Sequence, residues 1–179
     1  MNLLHTILDE VSAVLAQVDQ LKLEEMVTMF TKEKRIFIDG EGRSGLMAKG
    51  FGMRLMHLGY EVYIIGETIN PAIKSGDVLL TASGSGNSPV LLHHVQKAKE
   101  AGAKTLLVSS KSENKLAEVV DEMLVVPGTL KGDTGRARGS IQLLSTLFDQ
   151  SLHLTLDALC LLISKRDKMS NEAATHLHW

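Results

Sequence analysis

Arg35-Ile36-Phe37-Ile38-Asp39-Gly40-Glu41-Gly42-Arg43-Ser44-Gly45 reads as a strand that runs straight into a glycine-rich turn. The same logic returns at Asp77-Val78-Leu79-Leu80-Thr81-Ala82, a strand followed by Ser83-Gly84-Ser85-Gly86-Asn87-Ser88-Pro89. Each turn opens a helix. The first helix is expected from about Ser44 to His57, and Pro89 suits the first turn of the second, where its missing N–H costs nothing. Further strands are read at Val62-Tyr63-Ile64-Ile65, Thr105-Leu106-Leu107-Val108 and Glu122-Met123-Leu124-Val125-Val126, with a short helix around Leu116 to Val120. Strands alternating with helices predict a parallel sheet covered on both faces, because parallel neighbours need long crossovers. The expected architecture is α/β: a three-layer αβα domain whose five-stranded parallel sheet has the flavodoxin-like order 2-1-3-4-5. In that order strands 1 and 3 are neighbours whose crossovers leave on opposite faces, which opens a crevice at their carboxyl ends. The turns at 40–45 and 83–88 would then border one crevice.

Outward from this core the pattern is helical. Leu4, Ile7, Leu8, Val11, Val14, Leu15 and Val18 share a helical period, and Leu23, Met26, Val27 and Phe30 line one side of a second short helix. After the sheet, a glycine-rich and charged segment from Gly128 to Gly139 leads into a long apolar helix, expected from about Ile141 to Ser164. The tail from Lys165 to Trp179 is polar. With no repeat and no linker, the chain reads as one domain over 1–179: N-terminal helices at 1–33, sheet core at 34–127, C-terminal helix at 140–165.

Composition narrows the function. With 179 residues and 44% hydrophobic side chains, the chain can bury a sizeable core. A net charge of -2 and no basic patch argue against a nucleic-acid partner, which requires a surface that displaces counterions. The single cysteine, Cys160 in the run Leu159-Cys160-Leu161-Leu162-Ile163, excludes an internal disulfide and reads as a buried thiol suited to a reducing compartment. The N-terminus has no basic leader, and Asp9 and Glu10 interrupt its apolar stretch. No apolar run is read as reaching membrane-spanning length. A cytoplasmic protein with no membrane partner is expected.

The turns carry the chemistry. Glycine lets the backbone approach a ligand closely, and a helix N-terminus adds free N–H groups and partial positive charge. Ser44, Ser83, Ser85 and Ser88 add hydroxyls, and Arg43 a cation. One such turn is as well explained by helix capping, whereas two at one crevice favour a bound phosphate monoester. No GxxxxGK[ST] supports nucleotide hydrolysis. The rival is a dinucleotide site: Gly40-Glu41-Gly42-Arg43-Ser44-Gly45 matches GxGxxG, and Glu67 lies near where an acid would hold a ribose. The second turn has no role in that scheme.

Gly40-x-Gly42-Arg43-Ser44-Gly45 followed by Asp77-Val78-Leu79-Leu80-x-x-Ser83-Gly84-Ser85-Gly86-x-Ser88 resembles the sugar isomerase (SIS) domain. Met53-Arg54-Leu55-Met56-His57-Leu58-Gly59-Tyr60 and Gly66-Glu67-Thr68 look like the 6-phospho-3-hexuloisomerases within that family, and the resemblance runs from about residue 10 to 160. It implies the SIS fold, a homotetramer, a small-molecule sugar phosphate as ligand, no cofactor and no metal. It further implies interconversion of 3-hexulose 6-phosphate and fructose 6-phosphate through an enediol, in the ribulose monophosphate pathway. Carried over by position, Gly42, Arg43, Ser44, Ser83, Gly84, Ser85 and Ser88 hold the phosphate. The family's glutamate base, in a Gly-Ser/Thr-x-Phe-Glu sequence, falls on Ser145-Thr146-Leu147-Phe148-Asp149, so the base is Asp149. His57 is the proton relay and Glu67 a reserve carboxylate. A non-catalytic phosphosugar sensor is the alternative, favoured by the shorter acid.

Other polar groups have plainer readings. Asp149, His153 and Asp157 recur every four residues and suggest a polar stripe at a subunit contact. His93 and His94 are read as surface residues, and His176 and His178 as a solvated tail.

Overall fold

The computed structural model describes residues 2–179. Helix α1 (Leu3–Leu15) begins at Asn2, whose side chain accepts from the His5 N–H, and α2 (Gln20–Val27) begins at Asp19, which accepts from Lys22. Then come β1 (Ile36–Gly40), α3 (Gly42–His57), β2 (Val62–Ile64), β3 (Val78–Ala82), α4 (Pro89–Glu100), β4 (Lys104–Ser109) and β5 (Glu122–Val125). A 3-10 turn (Gly135–Ala137) precedes α5 (Thr146–Arg166) and α6 (Asn171–His176).

The strands form one parallel sheet in the order β2-β1-β3-β4-β5, as the alternation and crossover argument predicts. Ile36 pairs with Val62 on one side and Val78 on the other, and Gly40 pairs with Ala82, so the two turns leave adjacent strands at the same level. Side chains alternate across the sheet. Ile36, Ile38, Val78, Leu80, Leu106 and Val108 join the larger core with α1, α2, α3 and α5. Phe37, Leu79 and Leu107 face the other way, against Leu91, Val95 and Ala98 of α4. The central strands are thus apolar on both sides, which accounts for their unbroken hydrophobic runs.

Several expectations change. Residues 116–120 form a single hydrogen-bonded turn rather than a helix, with Val119 and Val120 both donating to the Leu116 carbonyl. The last long helix starts at Thr146, because Leu144 takes a φ of 52° and breaks any helix from Ile141. The tail folds into α6, capped by Ser170. Helix α5 is, against expectation, long and apolar enough to cross a membrane. Its apolar side chains serve the fold instead: Leu147, Phe148, Leu152, Leu156, Leu159 and Ile163 are buried in the larger core.

Candidate active site

The first turn is shaped by a close approach. A Cβ on Gly45 would sit 2.3 Å from the carbonyl oxygen of Gly40, so only glycine lets α3 start hard against the end of β1. Gly42 opens the helix with a φ of 57°, in the left-handed region glycine tolerates. The second turn is held by its own serines. The Ser83 hydroxyl accepts from the Gly86 N–H, Ser85 from Asn87, and Ser88 from Leu91 as the cap of α4.

The start of α5 closes the third side. At Gly128 a Cβ would fall 2.4 Å from the Cα of Phe148, and at Gly84 it would meet the Phe148 ring at 3.1 Å. These two glycines admit Phe148 and so bring Asp149 to the turns. The Ser44 hydroxyl donates to Oδ1 of Asp149 at 2.7 Å, and Nε of Arg43 lies 3.8 Å from Oδ2. Arg43 also donates to the Thr146 hydroxyl at 3.2 Å. Asp149 is only 3% exposed. Burial pushes its carboxyl above the usual range, outweighing the Ser44 hydrogen bond and the Arg43 charge that favour ionisation.

Around this acid lies a cavity of about 590 Å³. Gly42, Arg43, Ser44, Ser83, Gly84, Ser85, Ser88 and Asp149 all border it. The sequence reading missed other lining residues: Glu41, Lys111, Asp133, Lys131 and Thr146. Lys111 and Asp133 pair at 2.8 Å and tie the segment after β5 to the loop after β4. For Lys131 and Asp133 the signal was the charge in the Gly128–Gly139 segment, which has no periodicity to say where it folds.

His57 and Glu67 do not border the cavity. At about 1.5 Å rise per residue, His57 lies about 20 Å along α3 from Ser44. It is buried there, 3.4 Å from Arg54 and with its ring stacked 5.0 Å from that of His178, which stays exposed in the tail as read from the sequence. Burial first, then the charges of His178 and Arg54, lower its pKa. Glu67 is exposed in the loop after β2, on the far side of β1 from the second turn. His94 also departs from the surface reading, since its Nδ1 lies 2.9 Å from buried Asp39 at the end of β1. His153 and Asp157 form an exposed pair at 3.4 Å.

A second cavity, about 640 Å³, lies between α3, α5 and α6. It is slightly larger, yet neither glycine-serine turn reaches it. Its Cys160 thiol is pushed up to about 12 by burial, which leaves it without nucleophilic character. Among the described residues no three His, Cys, Asp or Glu side chains gather as a metal site.

The sequence matches the SIS domain family over residues 29–129. A 3-hexulose-6-phosphate isomerase of Bacillus subtilis is 32% identical over 166 residues, covering 93% of this chain and 90% of that protein. One from Mycobacterium gastri is 36% identical over 157 residues, covering 88% and 78%. Among solved structures, a Methanococcus jannaschii protein inferred to be a 3-hexulose-6-phosphate isomerase superposes with a TM-score of 0.83 at 26% identity, covering 100% of this chain and 98% of that one. A matched family model over more than half the chain, a sheet in the expected order and two serine-bearing turns meeting at one buried acid agree: this chain belongs to the SIS domain family.

Proposed function

We propose that the chain is a sugar-phosphate isomerase interconverting 3-hexulose 6-phosphate and fructose 6-phosphate. The observation that carries this reading is the buried Asp149 carboxylate, hydrogen-bonded to Ser44 in the cavity that both turns border. The phosphate is held between the turns, where Ser83, Ser85, the Arg43 cation and the helix N-termini of α3 and α4 offer donors and positive potential.

Moving the ketone from C2 to C3 removes a proton from C3 and returns one to C2, while a hydroxyl proton passes from O3 to O2. No electrons leave the substrate, so an enediol route balances without an oxidant. Asp149 accepts the carbon-bound proton, and its raised pKa makes it a stronger base once ionised. Arg43 stands beside it to support the enediolate charge, while Ser44 fixes the carboxylate by its hydrogen bond. In our reading His57 is the relay for the oxygen-bound proton at the cavity of another copy of the chain, which its buried ring can reach only if the tail carrying His178 moves off it. Exposed Leu3, Leu4 and Leu8 of α1, Met53 and Met56 of α3, and Leu154 and Leu161 of α5 support assembly, which we take to be a homotetramer. We place the enzyme in the cytoplasm, in the ribulose monophosphate pathway.

The test is incubation with fructose 6-phosphate in D2O, following the 3-ketose and deuterium at C2 and C3 by NMR. Turnover lost in Asp149→Asn supports the reading. Tight binding with no turnover in the wild-type protein favours a phosphosugar sensor instead.

A further inference from the structure

The four serines of the site do not have equal freedom to hold a phosphate. A hydroxyl carries one hydrogen to donate. Ser44 commits its hydrogen to Asp149, and Ser88 commits its own to Oε2 of Glu41. Ser83 and Ser85 only accept, from the Gly86 and Asn87 N–H groups, and keep theirs to donate. Glu41 stands just before α3, is exposed, and makes no capping hydrogen bond with its side chain. Among the described residues, Ser88 is the one donor to its carboxylate. Both residues border the cavity, and the bond joins the first turn to the cap of α4.

We infer that Glu41 is a specificity-determining residue: it withholds the Ser88 hydroxyl from the phosphate and makes the site select a polyol phosphate over bare phosphate. The inference rests on the sugar-phosphate reading above. A hydroxyl held by an ionised acceptor is in a strong, charge-assisted bond, which a phosphate must break to gain the same hydrogen. The carboxylate also repels the dianion across a cavity of limited size. A carboxylate has about four acceptor positions and Ser88 fills one, so the others can take hydroxyl hydrogens of a sugar. Bare phosphate meets only the repulsion and the missing donor. A phosphorylated polyol recovers the loss through its hydroxyls.

Two substitutions separate the parts. Glu41→Gln removes the charge and keeps an acceptor for Ser88, while Glu41→Ala removes both. Neither should unfold the protein, since Glu41 is exposed and caps nothing with its side chain. Ser88→Gly removes the hydroxyl but keeps a residue that helix N-caps accept. Dissociation constants for inorganic phosphate and for fructose 6-phosphate are measured by calorimetry on wild type, the three single variants and Glu41→Ala/Ser88→Gly. Inorganic phosphate should bind roughly 10-fold tighter to Glu41→Ala, with a smaller gain in Glu41→Gln. Fructose 6-phosphate should gain less, so the preference for it narrows. Ser88→Gly should weaken phosphate binding roughly 10-fold in the Glu41→Ala background and less than about 2-fold in wild type. An equal cost in both backgrounds, or no gain for phosphate in Glu41→Ala, overturns the inference while leaving the sugar-phosphate reading intact. Failure of every variant and of wild type to bind either ligand overturns both.

Discussion

The hydroxyl of Ser44 lies 2.7 Å from Oδ1 of Asp149, joining two residues 105 positions apart in the chain. Ser44 belongs to the turn after the first strand and Asp149 to the first turn of α5. The bond therefore couples the first turn, proposed to hold the phosphate, to the acid proposed to remove the proton.

Asp149→Asn should lower kcat by at least about 100-fold, the lower range for loss of a general base. It should not lower Tm, because the amide keeps an acceptor for Ser44 and removes a buried charge. Thermal melts beside turnover assays separate this outcome from simple unfolding, which would reduce both.

The same group sets a pH dependence. Burial raises the folded-state pKa of Asp149, so the acid limb of kcat/KM should lie above 3.8, the ordinary value for an aspartate. In that window the folded chain holds more protons than the unfolded chain, so this group makes stability fall as pH rises from the unfolded to the folded pKa. Asp39, also raised by burial although His94 and the Gly40 N–H oppose it, contributes with the same sign. Asp149→Asn should flatten part of that slope in melts taken across the acid range.

If His57 works at a neighbouring cavity, Asp149→Asn and His57→Ala are each defective at every site for different reasons. Mixed after dissociation and reassembly, they should recover turnover that neither shows alone. No recovery from demonstrably mixed oligomers would exclude His57 from a shared site.

Gly128→Ala should impair activity without removing any polar side chain. The added methyl would press 2.4 Å from the Phe148 Cα, forcing α5 away from the turns and Asp149 with it. Overpacking of this kind costs about 1–3 kcal/mol, and a shift of about 1 Å at a reacting group can cost roughly 100-fold in rate. A melt showing the variant folded, with kcat reduced more than substrate affinity, is the expected pattern.

Tyr60→Phe tests the scaffold away from the site. The Tyr60 hydroxyl donates to Asp167 at 2.5 Å and accepts from Arg166 at 2.6 Å. Arg166 and Asp167 also pair with each other at 2.8 Å, so both charges stay partnered when the hydroxyl goes. The loss should fall near the low end of the range for charged hydrogen bonds, about 1.5 kcal/mol, with turnover at the folded temperature little changed.

The sheet order and the two turns were legible because each depends on local chemistry: continuous apolar runs for buried strands, glycine and serine where chain meets helix. Asp149 was placed by resemblance, and its burial came only with the folded chain. Glu41 was in view but read as filler between glycines, since nothing in sequence says that Ser88 faces it. Asp133 reaches the cavity through a segment without periodicity, where it pairs with Lys111 of the loop after β4. His57 is the instructive case. Reading one helix from Ser44 to His57 already set the two about 20 Å apart, and helix arithmetic alone ruled out a shared cavity within one chain.

The order in which the chain is made gives α5 a temporal meaning. A nascent polypeptide emerged as far as β5 already carries both serine turns but not the acid that α5 brings. The turns proposed to hold the phosphate are made before the acid proposed to move the proton. On that reading catalytic competence arrives late in biosynthesis, when α5 docks on α3.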